Sequence, residues 1–116
     1  MELEHYETPA GRQPVREFVE GLGSGPRGKV MQRLDQLEAR GLATGPPIVK
    51  RIRGKDGLWE LRIRFGSDIY RIIFVVCAGG RAVLLHGFAK KSQKVLGRDI
   101  WLAVSRMRDY LERNGR

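Results

Sequence analysis

The chain has 116 residues, 41% of them apolar and 30% charged, a balance that excludes a disordered chain and predicts one domain over residues 1–116. The N-terminus carries no basic patch with an apolar run behind it, and no stretch approaches the roughly 18 apolar residues of a membrane span; both predict a cytoplasmic protein without a membrane partner. The lone Cys77 excludes an internal disulfide, and a net charge of +9, from 22 Lys and Arg against 13 Asp and Glu, points to a polyanionic partner.

In chain order, Leu3 to Tyr6 reads as a short edge strand, ended by Thr8-Pro9. Pro14 opens a short helix over Val15 to Leu22, closed by the Gly21–Gly25 cluster. Pro26 opens a second helix, in which Val30, Leu34 and Leu37 recur at helical spacing and Gly41 supplies the stop. Gly45-Pro46-Pro47 is a hinge too short for a domain linker. Four strand-like runs follow: Ile48–Arg53, Leu58–Phe65, Ile69–Cys77 and Arg81–Phe88. Their short, turn-rich connections predict an antiparallel meander. A last helix, about Arg98 to Arg113, carries Ile100, Ala103, Val104, Met107 and Leu111 on one face. The order predicts an α+β fold, with an N-terminal strand and helical hairpin packed on a small antiparallel sheet and a C-terminal helix.

The charge is placed unevenly. Residues 1–47 hold 6 basic and 7 acidic side chains, whereas residues 48–116 hold 16 basic and 6 acidic. Strand parity sorts Trp59, Leu61, Ile63 and Phe65 to one face and Glu60, Arg62 and Arg64 to the other. If helices cover the apolar face, Arg62 and Arg64 point from an open one. The next run is apolar on both faces except at Arg71, which predicts a central strand. An arginine there needs an anionic partner or a solvated opening; a cross-strand pair with Glu60 and a phosphate site both satisfy it. Lys90, Lys91 and Lys94 form one basic cluster, and Lys50, Arg51 and Arg53 a second. An antiparallel order lets the two converge with Arg62 on one concave surface fit for phosphate. The two histidines and single cysteine assemble no recognised zinc spacing, and the carboxylates form no cluster for magnesium, so neither metal nor cofactor is expected. His86, between Leu85 and Gly87, reads as a packed strand residue rather than a catalyst.

Three blocks, Gly57-Leu58-Trp59-Glu60-Leu61-Arg62, Tyr70-Arg71-Ile72, and Leu84 through Lys94, make the chain resemble HigB-like toxins of the RelE/ParE superfamily, in the branch of phage-derived proteins. Pro14-Val15-Arg16-Glu17-Phe18 is similar to that branch's first helix, so the resemblance covers nearly the whole chain. It implies the RelE-like fold and a ribosome-dependent mRNA endonuclease, neutralised by a cognate antitoxin that commonly carries a helix-turn-helix domain. It also implies a metal-independent mechanism in which the RNA's own 2′-hydroxyl attacks the adjacent phosphate. Arg62 matches the family's phosphate-contacting strand arginine. Lys90 and Lys91 match the basic pair after the final strand, where the superfamily can place a proton donor, and Lys50 and Arg53 lie where some members help activate the hydroxyl. Arg64, Arg71 and Lys94 complete the expected RNA contacts. The branch usually opens its last helix on a proline, where this chain has Val95-Leu96-Gly97. Related toxins poison DNA gyrase instead, and a nucleic-acid-binding module without toxicity is a third reading.

Overall fold

The computed structural model describes residues 1–54, 57–90 and 97–115. It is an α+β fold around one five-stranded sheet. The strands are β1 (Glu2–His5), β2 (Val49–Arg51), β3 (Leu58–Phe65), β4 (Asp68–Cys77) and β5 (Arg81–Lys90). The helices are α1 (Pro14–Glu20), α2 (Ser24–Arg40) and α3 (Gly97–Asn114), with a 3-10 turn at Gly41–Thr44 after α2. Among the described residues no helix is long and apolar enough to cross a membrane.

The sheet order is β1-β5-β4-β3-β2. β2 through β5 form the expected antiparallel meander, with the largely apolar β4 in the middle. The tightest connection is the two-residue Gly66-Ser67 turn, where Phe65 pairs with Asp68. Gly66 has φ +61°, and glycine at the first turn position gives a twist that matches the flanking strands.

The sheet is nonetheless mixed, not antiparallel throughout. β1 lies parallel to β5, with Glu2 opposite Arg81 and His5 opposite Leu84. A strand that reaches β5 only after the whole meander has formed enters in whichever direction the helical hairpin leaves free. Local turn signals carry no information about that direction. The expected run Ile48–Arg53 also forms only three residues of strand.

Each face of the sheet carries its own core. α1 and α2 bury Val15, Val19, Val30, Leu34 and Leu37 against Leu61, Ile63, Ile72, Phe74 and Leu84. Trp59 packs against this core while partly exposed, so the parity read from β3 holds. Fully burying side chains of this size contributes roughly 1.5–3 kcal/mol each. On the opposite face α3 covers Ile73, Val75, Val83 and Leu85 with Ala103 and Tyr110, flanked by Ile100, Val104, Met107 and Leu111. The face expected to be open is therefore covered over β4 and β5. α3 lends its apolar stripe there because the inner strands are apolar on both sides.

β5 changes parity midway. Phe74 pairs with Leu84 but Ile73 pairs with His86, a bulge that leaves Leu85 as the extra residue. Val83 and Leu85 face α3, and the bulge then puts His86 on that same side. Gly87 consequently turns toward α1, where a Cβ would come within 2.5 Å of the Phe18 ring. Only glycine allows this approach of α1 to the sheet.

Candidate functional site

The register aligns the polar side chains of the α3 face in rows across the sheet. Lys50 lies opposite Glu60, Glu60 opposite Ile73, and Ile73 opposite His86. In the next row Arg62 faces Arg71, which faces Phe88. In the third, Arg64 faces Ile69, which faces Lys90. Neighbouring strands are about 4.8 Å apart, so the part of this face that α3 leaves uncovered concentrates positive charge.

A cleft of about 300 Å³ opens there, lined by Lys50, Arg51, Ile52, Arg53, Glu60, Arg62 and Arg71. Five cations surround one carboxylate. Glu60 is gripped from two sides: Arg71 Nη1 donates to Oε2 at 2.8 Å, and Arg62 Nε lies 3.4 Å from Oε1. The Arg71 side chain is 1% exposed and that of Glu60 5%, whereas Arg62 is 18% exposed. The cross-strand pair weighed for Arg71 is thus formed. Arg71 lies beneath the cleft as the inner half of an ion pair, and Arg62 is the guanidinium at its mouth.

Lys50, Arg53, Arg62 and Arg71 therefore come together. Arg64 does not join them: it is exposed and lines a second depression with Arg33, Pro47, Ile48, Ile69 and Arg62. The backbone of Lys90 ends β5 opposite Ile69, but its side chain, like Lys91 and Lys94 entirely, lies outside the described residues.

The arrangement also contains groups that sequence reasoning missed. His86 Nε2 lies 2.8 Å from Asp99 Oδ1 in the first turn of α3, and its ring stacks on Phe88 at 5.1 Å between centroids. Arg106 donates from Nη1 to the Leu85 carbonyl at 2.9 Å and lies 3.4 Å from His86 Nδ1. Burial draws the Arg106 guanidinium below its ordinary value. Asp99 near the helix N-terminus is favoured by the helix dipole. This cluster fastens β5 to α3 beside the basic rows. Its only sequence signal was the histidine itself, because the bulge that aims it at Asp99 breaks the alternation on which parity rests. Cys77 sits at the end of β4, where burial pushes its thiol up, away from nucleophile chemistry. Among the described residues no three His, Cys, Asp or Glu side chains gather into a metal-binding group.

A cleft of this kind can hold a phosphate by charge and hydrogen bonds, with Arg62 able to offer a planar, two-pronged grip. The family model described as Phage derived protein Gp49-like (DUF891) matches residues 17–108, from α1 through most of α3 and including every cleft residue. No curated protein matches the chain. With the match spanning well over half of its length, the chain belongs to the phage-derived Gp49-like family.

Proposed function

We propose that the protein is the toxin of a toxin–antitoxin pair and cleaves mRNA on the ribosome without a metal. The observation that carries this reading is the cationic cleft, where Lys50, Arg53 and Arg62 converge above the buried Arg71–Glu60 pair. The resemblance to RelE/HigB-like toxins and membership of the Gp49-like family support it.

The 2′-hydroxyl gives its proton to water and its oxygen bonds to the adjacent phosphorus, the P–O5′ bond breaks, and the departing oxygen takes up a proton. Negative charge builds on the non-bridging oxygens of the phosphorane. A guanidinium fixed in advance beside that position stabilises it, and losing one such donor can cost about a hundredfold or more in rate. Arg62 fills that role, its Nε held 3.4 Å from Glu60 Oε1 and its side chain lining the cleft. Glu60 and Arg71 position Arg62. Lys50 and Arg53 lower the cost of deprotonating the hydroxyl, and Lys90 or Lys91 supplies the departing oxygen's proton. A cognate antitoxin, of helix-turn-helix type, silences the protein by covering this basic face.

The test is expression of the wild-type chain and Arg62→Ala, with mRNA 5′ ends mapped, and cleavage on purified ribosomes with and without EDTA. We expect cleavage by the wild type that survives EDTA, leaves a 2′,3′-cyclic phosphate, stops at a 2′-deoxy substitution, and falls about a hundredfold or more in Arg62→Ala. Growth arrest with gyrase-dependent DNA breaks and intact mRNA would replace this reading with gyrase poisoning.

A further inference from the structure

Trp101 is 69% exposed, far more than Met31 at 47% or Phe65 at 42%. Such an indole on an otherwise polar helix face calls for a physical reason. Its position around α3 is fixed by the helix's other contacts. One flank is tied to the N-terminal segment and the β5 bulge: Tyr6 Oη donates to Asp109 Oδ2 at 2.7 Å, Arg113 to the Glu7 carbonyl, and Arg106 to the Leu85 carbonyl. At 3.6 residues per turn, Trp101, Val104 and Arg108 lie roughly 140° around the helix from that flank. They border the other side, toward β3 and β2. Ile52, which lines the cationic cleft, packs against the same core as Val104 and Ile100.

The level along the strands is fixed as well. The Asp99–His86 contact sets the first turn of α3 over the row Lys50–Glu60–Ile73–His86. Trp101 is two residues on, about 3 Å along the helix axis. It therefore stands on the flank of α3 nearer the cleft, at about the level of that row and just outside the residues that line the cleft.

We infer that Trp101 is a stacking platform for an unpaired RNA base, next to the nucleotide whose phosphate the cleft holds. The inference rests on the RNA-cleaving reading and adds a residue that positions the strand. An indole face accepts any base, so the contact is tolerant of sequence. Arg98 and Arg108, both exposed, lie three residues before and seven after Trp101 and continue the positive charge along α3. The same helix face argues against a protein partner: it carries Arg98, Ser105 and Arg108, and the one apolar side chain at helical spacing from the indole is Val104, itself packed against the core.

The test measures binding of two fluorescein-labelled single strands by anisotropy. One is a short 2′-O-methyl oligonucleotide, which cannot undergo 2′-hydroxyl attack; the other keeps its phosphates but is abasic throughout. Trp101→Ala should lose on the order of tenfold in affinity for the base-bearing strand, none for the abasic strand, and no thermal midpoint. Trp101→Phe should retain most of the binding. Arg62→Ala should weaken both strands alike. Equal loss on both strands in Trp101→Ala, or no loss on either, overturns the stacking role while leaving the phosphate site standing. If neither strand binds the wild-type chain, the stacking role falls, whereas the RNA reading stands or falls with cleavage on the ribosome.

Discussion

Replacing Arg71 with methionine would remove one half of a buried ion pair and leave the other in place. Glu60, 5% exposed and bonded to Arg71 at 2.8 Å, would keep only Arg62, at 3.4 Å and partly in water. Stranding a buried charge in this way costs about 3–5 kcal/mol. For 116 residues the unfolding entropy near the midpoint is roughly 0.24 kcal/mol/K, so the melting temperature should fall by roughly 12–20 °C. Arg71→Met combined with Glu60→Leu removes both charges and fills the space with apolar atoms, and should return to within about 1 kcal/mol of the wild type. Urea denaturation followed by circular dichroism gives both numbers. A single variant that loses less than about 1 kcal/mol would refute the buried-pair argument. So would a double variant as unstable as the single one, because the loss would then come from packing and not from charge.

Arg62→Lys keeps the charge but loses the planar fork; ribosomal cleavage should stay well below wild type, and equal rates would reduce Arg62 to a point charge. His5 has its pKa held below the ordinary 6.5 by burial and by the Arg16 guanidinium, against the opposing pull of Glu20. As pH falls below about 6.5 the unfolded chain takes up that proton before the folded one, so the stability present above that pH is progressively lost. His5→Gln should flatten this slope in urea titrations between pH 5 and pH 7 (roughly the range where histidine titrates), and an unchanged slope would assign it elsewhere. Gly87→Ala should cost about 1–3 kcal/mol in the same assay, because the new methyl meets a ring fixed in α1; pairing it with Phe18→Leu should restore most of that loss.

The parts of the fold legible in the sequence are those set by local chemistry. Residues Leu58–Phe65 alternate cleanly and form β3 with those bounds. The unbroken apolar run around Arg71 marks β4 as the middle strand, and the stripe from Ile100 to Leu111 packs as expected. Features that depend on distant partners were illegible. Nothing near Glu2–His5 says that it pairs parallel to β5, and nothing in the α3 stripe says which sheet face it covers. At the site, parity placed Arg62 and Arg71 on one side together, and the clustering of basic residues around Lys50 was visible. The difference in burial between the two arginines was not, since it follows from the sheet order, which sets Arg71 on the central strand and Arg62 one strand nearer the edge. His86 is the packed strand residue expected, but its Asp99 partner is not legible in the sequence, because one inserted residue at Leu85 reverses the parity of everything after it.

The placement of β1 has a consequence for timing during synthesis. The first strand made finds its partner only in β5, and the segment just after it is held by Asp109 and Arg113, across separations of 103 and 106 residues. A ribosome adding about 5–20 residues per second needs on the order of 5–20 s to deliver those partners. Throughout that interval the meander and its basic cleft can form only on an unfinished scaffold, with α3 still absent from the face that holds His86. Pairings this far apart in sequence also close slowly once available. The helix that carries Trp101 is thus the last of the described elements to be made, well after the residues that line the cleft.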